Sequence, residues 1–411
     1  MTPFDPTARP AEPFADAKRR LAGAVQDARA EILELSHRIH AHPERAFEEH
    51  EAAGWVAEAV ARHGFEVEHP AGSLSTAVRG RLRGRRAGSL EGSDGTGPRI
   101  GILAEYDALP GLGHGCGHNT MAASGVGAAI ALASVADELA GEIVFLGCPA
   151  EEFGSGKQVM LDDGLFEGID AALLFHPGDR TEVGCELLAS EDVDVTFRGL
   201  QAHAASEPWA GRNALDALVI LFSSIGLWRQ QLPQHARVHG IVLEGGTAAN
   251  IIPDRAVARF MIRSAEQEYF GQMHERFRNL VTAAALATDT QGETVFSGGS
   301  STMKNNVTLV ERFRKNLGAY GWTDRPYDRG HIGSSDMGNV SQHLPTIHPT
   351  LAICDEGVPG HSTAFRDAAA EPEADEVTLL AATLVAQTAY ELFAEPGLPE
   401  AAWREFRATG G

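Results

Sequence analysis

No stretch of this 411-residue chain approaches the roughly 20 consecutive apolar residues that a membrane-spanning helix needs. The longest candidate, 121–135, is too short and is rich in Ala and Gly. The first twenty residues, MTPFDPTARPAEPFADAKRR, lack the apolar block of roughly 7–15 residues that a secretory leader carries. Cysteine is scarce, with four residues at 116, 148, 185 and 354, so no disulfide framework is expected. These absences together predict a cytoplasmic protein with no membrane partner. Basic charge is also in short supply: 34 Lys plus Arg stand against 56 Asp plus Glu, for a formal net charge of -22. A surface that acidic repels phosphate backbones, which excludes nucleic acid as an expected partner. The acidic excess itself reads as solubility.

What is present is ordinary globular material, 43% hydrophobic and 22% charged, in a chain long enough for two domains. Apolar positions at helical spacing predict helices over about 17–63, with a break at Pro43. The Gly-, Ser- and Arg-rich stretch 80–98 reads as an exposed loop. Short apolar runs at 100–104, 143–146 and 171–175 read as strands covered on both faces, and a long helical stretch at 120–139 separates the first two. This alternation predicts an α/β catalytic domain, three-layered, with a mixed and mostly parallel sheet.

Near residue 189 the pattern changes. Val193, Val195 and Phe197 alternate with polar residues, and a strand–helix–strand–strand–helix–strand order follows, closing near Val295. That order predicts an inserted α+β sandwich, with 298–302 as its return hinge. The expected organisation is 1–189 and 300–411 for the catalytic domain and 190–299 for the inserted one.

The chemistry-bearing residues gather where the predicted strands end, which is where α/β sheets build their sites. The 100–104 run leads to Glu105, Asp107 and GHGCGHN; 143–146 leads to Glu151 and Glu152; 171–175 leads to His176; and 351–353 leads towards His361. Four such endings are expected on one sheet. Imidazole, thiolate and carboxylate are the donors that zinc takes. Glycines around Cys116 and His118 let both side chains turn to one point. Of two adjacent carboxylates, one can ligate while the other accepts a proton from water. Any single loop histidine, or a lone Glu pair, is more often structural or solvated; the argument lies in the ordered set.

With these residues in view, the chain resembles the di-zinc aminoacylase, glutamate carboxypeptidase and dipeptidase family, metallopeptidase family twenty. The resemblance covers nearly the whole chain. It runs through HRIHAHPERAFEEHE, AEYDALPGLGHGCGHN, PAEE, LFHP, AHAA, GGTAANIIPD, GSSDMGN and PGHSTAF in order. The p-aminobenzoyl-glutamate hydrolase and β-alanyl-lysine dipeptidase branch is the most similar part of the family. Glu105 stands where other branches carry His or Asp, and Asn119 where many carry Asp.

The resemblance implies two zinc ions per subunit, with manganese as an alternative, held by Cys116 as bridge and by His118, Glu152, His176 and His361. It implies Glu151 as general base and Asp107 as the group orienting a ligand histidine. In the inserted domain, which the resemblance makes a lid and dimerisation domain, it implies that His203 polarises the scissile carbonyl of a partner subunit. Asn250 would hold the oxyanion or the substrate carboxylate, and Arg263 would clamp a terminal carboxylate. The expected activity is hydrolysis of an amide bond beside a free carboxylate in a small molecule: an N-acyl amino acid, an aminobenzoyl-glutamate-like compound or a dipeptide. Two alternatives stay open, an aminopeptidase that recognises a free amine and a non-catalytic metal-binding scaffold. A homodimer is expected.

Overall fold

The computed structural model describes residues 5, 7–8, 10–85, 97–326 and 332–409. Twelve strands are present among them: β1 (Glu66–Glu68), β2 (Val78–Arg83), β3 (Arg99–Glu105), β4 (Glu142–Cys148), β5 (Ala171–Leu173), β6 (His176–Gly178), β7 (Ala189–Arg198), β8 (Ala236–Glu244), β9 (Arg255–Ser264), β10 (Gln291–Ser300), β11 (Thr346–Ile347) and β12 (Thr350–Ala352). The chain divides into two compact units. One comprises Met1–Glu186, Lys304–His331 and Asn339–Gly411; the other comprises Leu187–Met303 and Ile332–Gly338. The sequence placed the junctions at 189/190 and 299/300, and it held no signal that Ile332–Gly338 would go with the inserted unit.

The first unit carries a six-stranded sheet in the order β1-β2-β4-β3-β5-β11. β4, β3, β5 and β11 are parallel, while β1 and β2 run antiparallel at one edge. Ile100, Ile102 and Leu103 of β3 are buried, as are Ile143, Phe145 and Leu146 of β4. Each such side chain contributes about 1.5–3 kcal/mol by leaving water. Helix His118–Ser134 is apolar around its whole circumference and therefore lies inside, between sheet and outer helices. Its approach to the sheet is close: a Cβ at Gly125 would stand 2.7 Å from the Leu103 carbonyl oxygen. Helix Pro372–Ala394 is long and apolar enough to cross a membrane, but 89% of its most apolar window is buried in the fold, and it packs on helix His118–Ser134 as a core helix.

Two expectations need correction. The four metal-competent strand ends do not share one sheet: His176 opens β6, which pairs only with β12 in a separate two-stranded parallel sheet. The 171–175 run ends its strand at Leu173; the Leu174 N–H still donates to the Ile347 carbonyl oxygen at 3.2 Å, and pairing with the second sheet begins at His176. Second, of the expected hinge 298–302, residues 298–300 are the end of β10, where Ser300 faces Ser190 past a bulge, and only 301–302 lie beyond the strand. Of the predicted 80–98 loop, 80–83 belongs to β2 and 86–96 lies outside the described residues.

The inserted unit is an antiparallel sheet, β10-β7-β9-β8, with helices Ala214–Arg229 and Gln267–Ala287 packed on it. The strand–helix order is the one expected. Alternation sets its inner face: Val193, Val195 and Phe197 of β7 and Ala256, Ala258, Phe260 and Ile262 of β9 are buried. Phe260 meets Phe222 at 4.8 Å and Phe277 at 5.2 Å between ring centroids. The Asn213 side chain starts the first helix by accepting from the Leu215 and Asp216 amides.

Candidate metal centre

In the first unit the chain turns after β3 and re-enters a helix at His118, with Gly117 in the left-handed conformation (φ 76°) at the helix cap. His118 is fully buried. Its Nδ1 donates to the carbonyl oxygen of Asp107 at 3.0 Å and stands 3.1 Å from the Asp107 carboxylate. The proton is thereby fixed on Nδ1, and the Nε2 lone pair, buried without a hydrogen-bond partner, points into the cluster. The other Asp107 oxygen accepts the backbone N–H of Glu152 at 2.9 Å. One buried carboxylate thus sets both an imidazole and the turn that carries the Glu pair.

His176 uses Nδ1 on the Pro177 carbonyl oxygen at 2.6 Å, which leaves Nε2 3.5 Å from the Cys116 sulfur. Glu152 Oε2 lies 3.5 Å from His361 Nε2; the Glu152 side chain is 5% exposed and that of His361 57%. His361 is itself left-handed (φ 57°), and its N–H donates to the Gly115 carbonyl oxygen at 2.9 Å, which seats it beside the Cys116 loop.

Three groups of donor atoms lie within 4.8 Å of one another: Cys116 with His118 and His176, Cys116 with Glu152 and His361, and Glu105 with His118 and Glu151. The first two share the Cys116 sulfur. All five expected ligands are therefore brought together in the first unit, with Glu151 alongside. Glu105, whose ligating potential the strand-end reading did not develop, is fully buried there; it pairs with the buried Lys157 ammonium and stands 3.4 Å from His118 Nε2. Nothing in the sequence marked Lys157.

The electrostatics fit a cation. Burial pushes the Cys116 thiol well up, and Glu152 adds to it. Burial also raises Glu152. Burial lowers His176 to about 4, with His118 repelling its proton, so that ring is a neutral donor. At His118 burial opposes a second proton, but the Cys116 and Asp107 charges outweigh it and favour positive charge at Nε2, the position a metal would take. A thiol and a carboxylate that burial pushes towards their protonated forms, beside the His118 Nε2, are arranged for metal charge to replace protons.

The inserted unit carries the rest. His203 Nδ1 accepts the Ala205 and Ser206 amides at 3.2 and 3.1 Å, so the ring proton sits on the exposed Nε2. Asn250 is exposed on the adjoining segment, its carbonyl oxygen accepting the Ala204 N–H at 3.0 Å. Arg263 does not join them. It lies in β9 opposite Ser190, at the end where the chain enters the unit, while His203 and Asn250 flank the other end near Asp254. At about 3.3 Å per residue, the eight steps from Arg255 to Arg263 span roughly 26 Å. The Arg263 guanidinium rests on the Met261 sulfur at 2.9–3.0 Å, with no ion-pair partner among the described residues.

A mixed α/β unit with a thiol, imidazoles and carboxylates converging at its strand ends, interrupted by an antiparallel α+β unit, defines a metal-dependent peptidase or amidohydrolase. The chain belongs to peptidase family M20/M25/M40, whose sequence profile matches residues 101–383. It is 34% identical to the Xaa-Arg dipeptidase of Mus musculus, over 97% of this chain and 96% of that one. It is 32% identical to a p-aminobenzoyl-glutamate hydrolase subunit of Escherichia coli, over 74% of this chain and 65% of that one. Among solved structures, a dinuclear metal-binding M20 peptidase from Bacillus subtilis shares the fold with a TM-score of 0.66 at 21% identity, covering 88% of this chain and 98% of that one.

Proposed function

We propose that the protein hydrolyses the amide bond beside a free carboxylate in small substrates, dipeptides foremost, with Glu151 as general base. The carrying observation is the pair of donor triads that share Cys116, with Glu151 on their rim. The names and full-length coverage of the dipeptidase relatives favour dipeptides over N-acyl amino acids and aminobenzoyl-glutamate-like compounds. Zinc suits a thiolate and imidazole set, two ions fit two triads, and manganese is the alternative for the carboxylate donors. Bound there by Cys116, His118, Glu152, His176 and His361, the metal supplies Lewis acidity to the scissile carbonyl and to a water.

The chain's own groups do the rest. Glu151 takes the proton of the attacking water and returns it to the leaving amine. His203, with its proton on Nε2, donates a hydrogen bond to the carbonyl oxygen as negative charge builds, and Asn250 adds a second donor. Arg263 holds the terminal carboxylate in a bidentate pair. His203 and Asn250 sit at the opposite end of β9 from Arg263, so serving one substrate calls for two chains. We therefore read the protein as a homodimer in which His203 and Asn250 complete the partner's site. Edge strand β8 supports this reading: it leaves Ile241 62%, Val242 49% and Leu243 53% exposed, and Leu227 of the neighbouring helix is 72% exposed. The four cysteines are free thiols, which suits the cytoplasm.

The test is Glu151→Gln in zinc-loaded protein, assayed on dipeptides, N-acyl amino acids and aminobenzoyl-glutamate. Turnover should fall by about 10²–10⁴-fold with metal content unchanged. Undiminished turnover overturns the base assignment, and preference for a C-blocked substrate with a free amine would make the enzyme an aminopeptidase.

A further inference from the structure

Glu49 is fully buried, yet it belongs to none of the three donor groups. It stands at the N-cap of helix His50–Arg62, but its side chain makes no cap hydrogen bond. Glu44 does that work instead, its carboxylate accepting the Glu51 and Ala52 amides at 3.0 and 2.9 Å. The Glu49 carboxylate is thus released for another task. Its Oε1 accepts two backbone N–H groups, that of Phe47 at 2.9 Å and that of Ala150 at 2.8 Å.

Both of those residues are left-handed, Phe47 at φ 64° and Ala150 at φ 59°. Residues with a Cβ rarely adopt that conformation without a specific hold. Ala150 immediately precedes Glu151 and Glu152. Two residues on, within the pair itself, the Glu152 N–H is held by Asp107. The same 43–49 loop presses on the turn a second time: a Cβ at Gly154 would stand 2.3 Å from the Phe47 ring. Buried carboxylates thus hold the Ala150 and Glu152 amides, and with them the backbone on either side of Glu151.

We propose that Glu49 is a positioning residue for the Glu151–Glu152 pair: through the Ala150 amide it fixes the left-handed turn that aims the base and the ligand carboxylate at the metal cluster. Burial, with Asp107 nearby, raises the Glu49 carboxyl to about 7, which agrees with its acting as an acceptor rather than as a fixed charge. The inference rests on the reading of Glu151 as base and Glu152 as ligand.

The experiment compares Glu49→Ala, Glu49→Gln and Glu49→Asp in the full-length zinc-loaded protein, by zinc retention against a chelator and by separate kcat and KM. Gln keeps an acceptor at the same reach; Asp keeps the charge and is one methylene too short. Ala and Asp should weaken zinc retention and lower kcat by about 10–100-fold each, with KM within about 2-fold, and Gln should stay within about 3-fold of wild type on every measure. Wild-type zinc retention and kcat in Glu49→Ala overturn the proposal, as does a Gln variant that falls as far as Ala. Should the Ala variant not fold, Glu49→Asp decides by the same two readouts. Chelator competition needs no turnover: a wild-type protein that hydrolyses none of the amides sinks the proposed function, while zinc retention still judges Glu49.

Discussion

The two places that bear functional side chains are built in opposite ways. In the first unit each donor is buried or nearly so, except His361, and all but Cys116 are held by a group behind them: His118 by Asp107, His176 by the Pro177 carbonyl, the backbone of the Glu pair by Asp107 and Glu49, His361 by the Gly115 carbonyl. In the inserted unit His203 and Asn250 lie in the open, held by the bridge between their two segments and by the Ala205 and Ser206 amides on the His203 ring. Burial makes the first set costly as bare charges or unpartnered donors, a cost that a bound cation would offset. Exposure leaves the second set free to meet something outside its own unit. In the proposed dimer, a preformed metal pocket and an exposed donor pair are the two halves of one site, divided between chains.

The largest effect expected from breaking that contrast is at Cys116. Because its sulfur belongs to both triads, Cys116→Ala should empty both metal positions and reduce turnover by more than the roughly 10–100-fold that loss of an outer hydrogen-bonding group costs. His203→Ala should lower kcat by about 10²-fold yet leave metal content untouched. Metal analysis beside activity separates the two. Full zinc loading in the Cys116 variant would end the shared-sulfur reading, and zinc loss in the His203 variant would end the division of roles.

The division between chains can be tested more sharply by mixing. Glu151→Gln and His203→Ala proteins are each expected to be nearly inactive. If His203 serves the partner's site, half of the reassorted dimers are hybrid and one of each hybrid's two sites is intact. About a quarter of wild-type activity should then return on mixing. If His203 acts within its own chain, no hybrid has an intact site and nothing returns. Sedimentation of the wild type as a monomer at assay concentration would also remove the two-chain reading.

Much of the first unit was legible because metal chemistry restricts donors to a few residue types and α/β topology restricts where they gather. Cys116, His118, Glu152, His176 and His361 could be selected from 17 histidines and 56 acidic residues by those two constraints and a family resemblance. Of the supporting layer, Asp107 was expected from the resemblance, but the rest was not legible. Glu49 lies in HRIHAHPERAFEEHE, a segment that carried the resemblance without assigning Glu49 a role; only the fold shows Glu44 capping the helix and Glu49 turning inward. Lys157 sits in a short helix with no pattern to announce a buried ammonium. The break between β5 and β6 was hidden because 171–175 is uniformly apolar, and periodicity cannot show where such a run changes sheets. Arg263 needed strand register before its distance from His203 could be seen.

The smallest expected effect concerns stability rather than catalysis, and it probes the supporting layer directly. The Glu49 carboxyl is raised to about 7 in the folded protein by burial and by Asp107, against an unfolded value of 4.5. Below pH 4.5 both states hold the proton and Glu49 adds no pH dependence. Between there and 7 the unfolded chain releases it while the folded one keeps it, so folding stability falls by at most about 1.4 kcal/mol per pH unit and levels off above 7. Glu49→Gln cannot titrate. Its stability relative to wild type, measured by denaturant unfolding, should therefore rise between about pH 5 and pH 8 by on the order of 1–3 kcal/mol. A difference that stays flat over that range would mean that the Glu49 carboxylate is ionised throughout, and that charge rather than acceptor geometry holds the Ala150 turn.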